Sequence, residues 1–164
     1  MFRKIRVFVI AIVLCCTSLG ACSKEAPRTL DEFMESMVGH FGPSIPFEKE
    51  YRGVGFSVEG ATSKGASFRY ENRYDVTAYY GAGWDLFVST DSGYRYVDIK
   101  KRNFAFHDAL FPEPYFEHLD FKGLYKGLKP GSYRILLHLK FPQDNGKHNP
   151  YDMVYLYADF VISK

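Results

Sequence analysis

The chain has 164 residues, 21 Lys and Arg against 19 Asp and Glu, and is rich in aromatic side chains, with 15 Phe, 13 Tyr and a single Trp. A formal net charge of +2 gives no basis for a nucleic-acid or anionic-lipid partner. Three cysteines, at positions 15, 16 and 22, are too few and too bunched for a disulfide framework.

Taken in chain order, Arg3, Lys4 and Arg6 precede an apolar run from Val7 to Cys16, the layout of an export signal. The run is too short to span a bilayer, which takes roughly 20 apolar residues. Leu19-Gly20-Ala21-Cys22 then resembles the lipobox read by the lipoprotein-processing enzymes of bacteria, with small residues before the cut and a cysteine after it. This implies removal of residues 1–21, cleavage between Ala21 and Cys22, and a thioether-linked diacylglycerol on Cys22. Two or three acyl chains of the palmitate type are a sufficient anchor, because each buried methylene contributes about 0.8 kcal/mol and one chain alone holds only marginally. The plain alternative is a secretory signal that leaves Cys22 as a free thiol. Cys15 and Cys16 depart with the leader, so no internal disulfide is expected. Arg3, Lys4 and Arg6 depart too, so basic residues in the mature chain fall just short of its 19 acidic ones.

Residues 22–50 read as a lipidated tether followed by one short helix. Thr29 is the predicted N-cap and Glu32 completes a capping box, in which the Thr hydroxyl and Glu carboxylate each accept from the other residue's backbone N–H. Leu30, Phe33, Met34, Met37 and Val38 follow helical spacing, and Gly39 and Gly42-Pro43 mark the stop. The apolar stripe is expected to cover a sheet edge in preference to the membrane, since the polar face lacks Lys and Arg enrichment.

From Tyr51 to the end the apolar period is two, which predicts antiparallel strands with one wet face. Val54, Phe56 and Val58 share a face, as do Ala66, Phe68 and Tyr70, with Gly60 to Gly65 as the turn between. Trp84, Leu86 and Val88 alternate next, and Asp91-Ser92-Gly93 turns the chain into Tyr94 to Ile99. The strongest pair runs from Tyr133 to Phe141 and from Val154 to Ile162, joined by a loop in which Asp144-Asn145-Gly146 makes a tight turn. Pro112 and Pro114 break any long strand between Phe104 and Phe121.

Leu128-Lys129-Pro130-Gly131-Ser132-Tyr133-Arg134-Ile135 has the form of the corner that enters the penultimate strand of immunoglobulin-like sandwiches, where the Tyr bonds backward to corner backbone. Together with Glu71-Asn72, Tyr80-Gly81, the aromatic-rich run Trp84 to Val88, and Ala158, Phe160 and Ile162, this resembles the small bacterial Ig-like (Big-type) domains of exported proteins. The resemblance implies an all-β immunoglobulin-like antiparallel sandwich over residues 51–164, with Pro130, Gly131 and Tyr133 as structural corner residues. It departs from many such domains in lacking an inter-sheet cystine.

No pattern of catalytic or metal-binding residues stands out. His40, His107, His118, His138 and His148 fall at none of the close spacings that place two ligands on one metal, and His138 is expected to face solvent. No Ser lies in a Gly-x-Ser-x-Gly elbow, and Ser132 sits in a turn. Asp31-Glu32 suits a helix N-terminus, while Glu48 and Glu50 suit a solvated strand or loop. Gly81-Ala82-Gly83 lacks the Lys of a phosphate loop and reads as a turn or bulge. Tyr155 and Tyr157, on the polar side of the last strand, with Tyr79 and Tyr94 nearby, are the candidate binding residues, because rigid amphipathic rings suit protein interfaces and sugar stacking.

The reading is therefore a lipid-anchored protein of the cell envelope, in the cell membrane or outer membrane and facing periplasm or exterior, with a non-catalytic module that binds an envelope protein or glycan and needs no cofactor. Ser23, where Asp would favour inner-membrane retention in many Gram-negative bacteria, points to the outer membrane. The alternatives are an envelope hydrolase whose site assembles only in the fold, and a subunit of an envelope complex.

Overall fold

A computed structural model describes residues 29–41, 47–74, 76–99, 106–107, 114–125, 127–142 and 151–164. The leader, Ala21, Cys22 and the tether lie outside the described residues, as do the Gly42-Pro43 stop and the Asp144-Asn145-Gly146 turn. One helix, α1 (Leu30–Phe41), comes first. Strands β1 (Phe47–Glu48), β2 (Glu50–Tyr51), β3 (Val54–Ala61), β4 (Gly65–Asn72), β5 (Tyr79–Thr90) and β6 (Gly93–Tyr96) follow. Next come β7 (Phe106–His107), β8 (Tyr115–Asp120), a single helical turn α2 (Phe121–Leu124), β9 (Gly131–Pro142) and β10 (Tyr151–Ile162).

The strands form two sheets. Sheet A has the order β1-β10-β9-β5-β6, with β7 also on β5, and sheet B has the order β2-β3-β4-β8. The pairs are antiparallel except β1 with β10, which is parallel. The chain is thus an all-β immunoglobulin-like sandwich. Strand pairing begins at Phe47, upstream of the expected boundary at Tyr51, because residues 47–51 form one short extended piece that changes sheets at Lys49. Arg52 and Gly53, both at positive φ (51° and 78°), turn β2 into β3, the backbone that a two-residue primed hairpin requires. The Gly81-Ala82-Gly83 stretch lies within β5, whose register with β9 slips between Tyr80 and Trp84.

Alternate residues of both sheets meet in the middle. Trp84 on β5 stacks on Phe68 of β4 at 5.0 Å between ring centroids and touches Phe56 at 5.9 Å and Tyr70 at 6.3 Å. Ile135, Leu137, Leu139, Val154 and Leu156 are fully buried beside them. Tyrosine hydroxyls of this layer find partners: Tyr125 donates to the Trp84 carbonyl at 3.2 Å and Tyr70 to the Glu117 carboxylate at 2.9 Å. At the corner, past Pro130 and Gly131, Tyr133 donates to the Lys129 carbonyl at 2.7 Å, and its ring stacks on Phe160 at 5.5 Å.

Helix α1 starts where the capping box is expected. Thr29 N–H donates to Glu32 at 3.1 Å and Glu32 N–H donates to the Thr29 hydroxyl at 3.2 Å, which satisfies two of the donors that every helix start leaves orphaned. Helix formation continues through Gly39 to Phe41. Its apolar stripe covers the outer face of sheet A, not a sheet edge. Leu30 and Phe33 are buried, and Phe33 meets Phe87 edge-on at 5.5 Å and Tyr155 edge-on at 5.8 Å. A bridge from Thr29 to Arg95 pins the start of the helix to β6. Among the described residues no helix is long and apolar enough to cross a membrane.

Candidate functional site on the outer face of sheet A

Four strands supply the outward side chains of sheet A. Register aligns Asp85, Leu136 and Tyr157 in one row, Tyr96, Phe87, Arg134 and Asp159 in the next, and pairs His138 with Tyr155. The helix covers the middle of this face, so the outward positions fall into two groups, one beneath α1 and one beside it.

Beneath the helix, Tyr155 is fully buried, which corrects the expectation that it lies on a wet binding surface. Alternation identifies the face a residue occupies but not what lies over that face. The Tyr155 ring is met edge-on by His138 at 4.2 Å. His138 likewise does not face solvent: its side chain is 15% exposed, and Nε2 lies 3.1 Å from Oδ2 of Asp85. Asp85 also accepts from the Tyr96 hydroxyl at 2.9 Å. The Tyr155 hydroxyl is buried without a hydrogen-bond partner among the described residues. Burial first, and the Asp85 charge second, raise its pKa above the ordinary value of 10.0, since ionisation there would place an unsolvated anion beside a carboxylate.

Beside the helix, Arg134 is held by a carboxylate and by two tyrosine rings. Its Nε and Nη2 donate to the two carboxylate oxygens of Asp159, at 2.7 Å and 2.9 Å. The guanidinium carbon lies 4.2 Å from the Tyr157 ring centroid and 4.4 Å from that of Tyr94. Phe47 stacks on Tyr157 at 4.8 Å, and Lys49 Nζ lies 5.7 Å from the Tyr157 centroid. Cation–π contact and a two-point carboxylate pair fix a side chain that is otherwise rich in rotamers. The Asp159 hydrogen bond raises the Arg134 pKa, against the opposing effect of burial. Tyr157 thus keeps a place on a partly exposed surface, with Tyr94 near it as expected.

Arg134 and Asp159 are not among the candidates from sequence, although a signal is present. Gly131 pairs with Ile162 and Pro142 with Tyr151 in the final hairpin. Once that register is drawn, the opposite charges fall directly across from one another. Asp85 has its own signal, as a lone acid inside the apolar run from Trp84 to Val88.

Two pairings bear on catalysis. Asp85 and His138 form a His–carboxylate pair, but it lies under α1. Ser67 Oγ and His118 Nδ1 lie 3.2 Å apart on the exposed outer face of sheet B. Neither pair joins a third group into a Ser, His and carboxylate set among the described residues. No group of three or more His, Cys, Asp or Glu able to hold a metal occurs among them. Ser132 is exposed at the start of β9, and Glu50 pairs with Arg73 at 3.3 Å. No family model, curated protein or solved structure matches the chain.

Proposed function

We propose that this is a lipid-anchored envelope protein whose immunoglobulin-like domain is a binding module, with the outer face of sheet A beside α1 as its contact surface. The observation that carries the reading is Arg134 fixed between Tyr94 and Tyr157 and paired with Asp159. Binding surfaces concentrate energy in Tyr, Trp and Arg side chains, because a preordered ring or guanidinium loses little entropy on contact. Such a row supplies the hydroxyl edges of Tyr94 and Tyr157 for a protein or a glycan, held in place by Arg134, and Asp159 supplies an exposed carboxylate.

The anchor rests on Ala21-Cys22 and on the short polar stretch that separates Cys22 from Thr29. Seven residues extended span at most roughly 25 Å, so a lipid on Cys22 would keep the helix start and β6 close to the bilayer.

Mass spectrometry of the native product tests the anchor. A diacylated Cys22 at the new amino terminus is expected, and Cys22→Ser should abolish labelling by a fatty-acid probe; an unmodified thiol or an uncut leader would refute it. A photocrosslinking residue at position 157 tests the surface in intact cells. Capture of a defined partner should fall at least tenfold with Arg134→Ala and persist with a control change at Glu59 on sheet B. Equal capture in both variants rejects the surface.

A further inference from the structure

The segment 47–51 covers the two sheets at one end only. As β1 it pairs with Tyr155 and Leu156 of β10, and as β2 with Val54 and Gly55 of β3. Because it changes sheets at Lys49, no strand flanks the outer side of Tyr157–Ile162, or that of Phe56–Ala61, among the described residues. The two bare stretches lie side by side. Near the start of β10, Tyr51 meets Phe141 at 5.2 Å. At the far end the Lys64 carbonyl accepts from the N–H of Phe121, whose ring stacks on Phe160 at 5.8 Å.

A bare strand edge is a template for pairing with another chain, and folded proteins block it by brevity, a bulge, a charge or a cover. Three edges of this sandwich are blocked. The four-residue β6 is bridged at Arg95 by Thr29. β8 carries Glu117, which turns to accept from the Tyr70 hydroxyl at 2.9 Å. The register of β3 slips between Val58 and Gly60, and Glu59 at the slip is exposed. The bare stretch of β10 has none of these guards. It pairs with β9 without a slip and holds no Lys or Pro, and its one charge, Asp159, is drawn back over β9 by both bonds to Arg134.

Side chains complete a seat for an incoming strand, which would turn alternate residues to the two faces. On the outer face Val161 is 62% exposed in line with Asp159 and Tyr157, and on the inner side Val58 and Ala61 of β3 are only partly buried. The Asp159 side chain stays 37% exposed, which favours a basic residue opposite it. A second copy paired antiparallel about the centre of the stretch would instead set two Asp159 carboxylates opposite one another.

We propose that the Tyr157–Ile162 edge of β10 takes up an extended segment of a partner protein as an added strand of sheet A, rich in β-branched residues and with a basic residue opposite Asp159. This deepens the binding reading above, on which it rests, by making the partner a polypeptide that enters beside Tyr157.

The test uses the full-length chain in neutral detergent and the fluorescence anisotropy of a fluorescein-labelled peptide of alternating Thr and Val with one central Lys. Two analogues are N-methylated at alternate residues, so that one edge or the other loses its donors. The parent peptide should bind saturably and one analogue at least tenfold more weakly. Amide exchange should slow within Ala158–Ile162 and stay unchanged in β8. Val161→Lys supplies the missing guard at an exposed position and should weaken binding at least tenfold, while Val161→Thr should keep it. In intact cells Val161→Lys should also lose the partner caught at position 157. If Arg134→Ala loses that partner and Val161→Lys keeps it, the surface stands and strand entry falls. Strand entry also fails if the peptide does not saturate, if both analogues bind as the parent peptide does, if protection appears outside Ala158–Ile162 alone, or if folded Val161→Lys protein binds the peptide unchanged. Protection of Ala158–Ile162 that grows with protein concentration in the absence of peptide would assign the edge to a second copy and overturn the proposal.

Discussion

The layer between the sheets and the layer beneath α1 are both closed to water, yet they are built from different side chains. Between the sheets, Phe, Trp and aliphatic residues interlock from opposite directions, and the tyrosine hydroxyls of Tyr125, Tyr133 and Tyr70 reach the Trp84 carbonyl, the Lys129 carbonyl and the Glu117 carboxylate. Beneath the helix, Leu30, Phe33, Phe87, Leu136 and Tyr155 share space with the Asp85, Tyr96 and His138 network. One layer is defined by two opposed sheets. The other depends on a single amphipathic helix lying across one sheet, and so has fewer elements to lose before it opens. Stability within a protein is distributed in such units, and those with the fewest apolar contacts open first.

The largest expected effect separates the layers directly. Trp84→Ala removes the ring that joins β4 to β5 and should cost about 3–5 kcal/mol, the usual range for deleting a buried large aromatic. Amide exchange should then accelerate throughout both sheets. Phe33→Ala deletes a ring of the second layer and should cost about 3 kcal/mol at most, limited by the free energy that docks the helix. Exchange should accelerate in α1 while β9 and β10 keep their protection. If Phe33→Ala also exposes the amides of β3 and β4, the two layers are one cooperative unit and the distinction fails.

How far each layer is legible from sequence follows from the same difference. The inter-sheet layer is written in period two: alternation puts Val54, Phe56, Phe68, Tyr70, Leu137, Leu139 and Leu156 on inward faces, and all are buried. The helix is legible through Thr29 and Glu32, whose reciprocal bonds are local. What α1 covers is not legible, because a helical stripe says that a face is buried without saying against what. Alternation alone therefore places Tyr155 and His138 in solvent. A corrective sign lies in Ile135-Leu136-Leu137, an unbroken apolar run that suits a strand buried on both faces.

Alkaline pH should weaken the protein through both layers. Tyr125, buried between the sheets, and Tyr155, buried beneath the helix, have pKa values raised above 10.0, each mainly by loss of solvent. Above about pH 10 the unfolded chain releases these protons while the folded chain retains them, so stability is complete below that pH and declines as pH rises. Each ring should contribute a loss of about 1.4 kcal/mol in all between pH 9 and 11, with the slope steepening above pH 10. Denaturant titrations between pH 9 and 11 measure the slope, and Tyr125→Phe and Tyr155→Phe should each remove one share of it. A slope unchanged in both variants would mean that neither proton is held by the fold.

The smallest effect is also the sharpest comparison, because one chemical change is made in each layer. Tyr133→Phe removes a hydroxyl that donates to Lys129 at 2.7 Å and leaves that carbonyl short of a partner; the cost should be about 1 kcal/mol at neutral pH. Tyr155→Phe removes a hydroxyl that is buried and unpartnered among the described residues, so it deletes a desolvated polar group and sacrifices no bond. Stability should stay level or rise by up to about 1 kcal/mol. Thermal unfolding of the two variants side by side reads the difference in sign. A loss at Tyr155 equal to that at Tyr133 would mean that the hydroxyl beneath the helix has an acceptor in solution, and the second layer would then be as fully satisfied as the first.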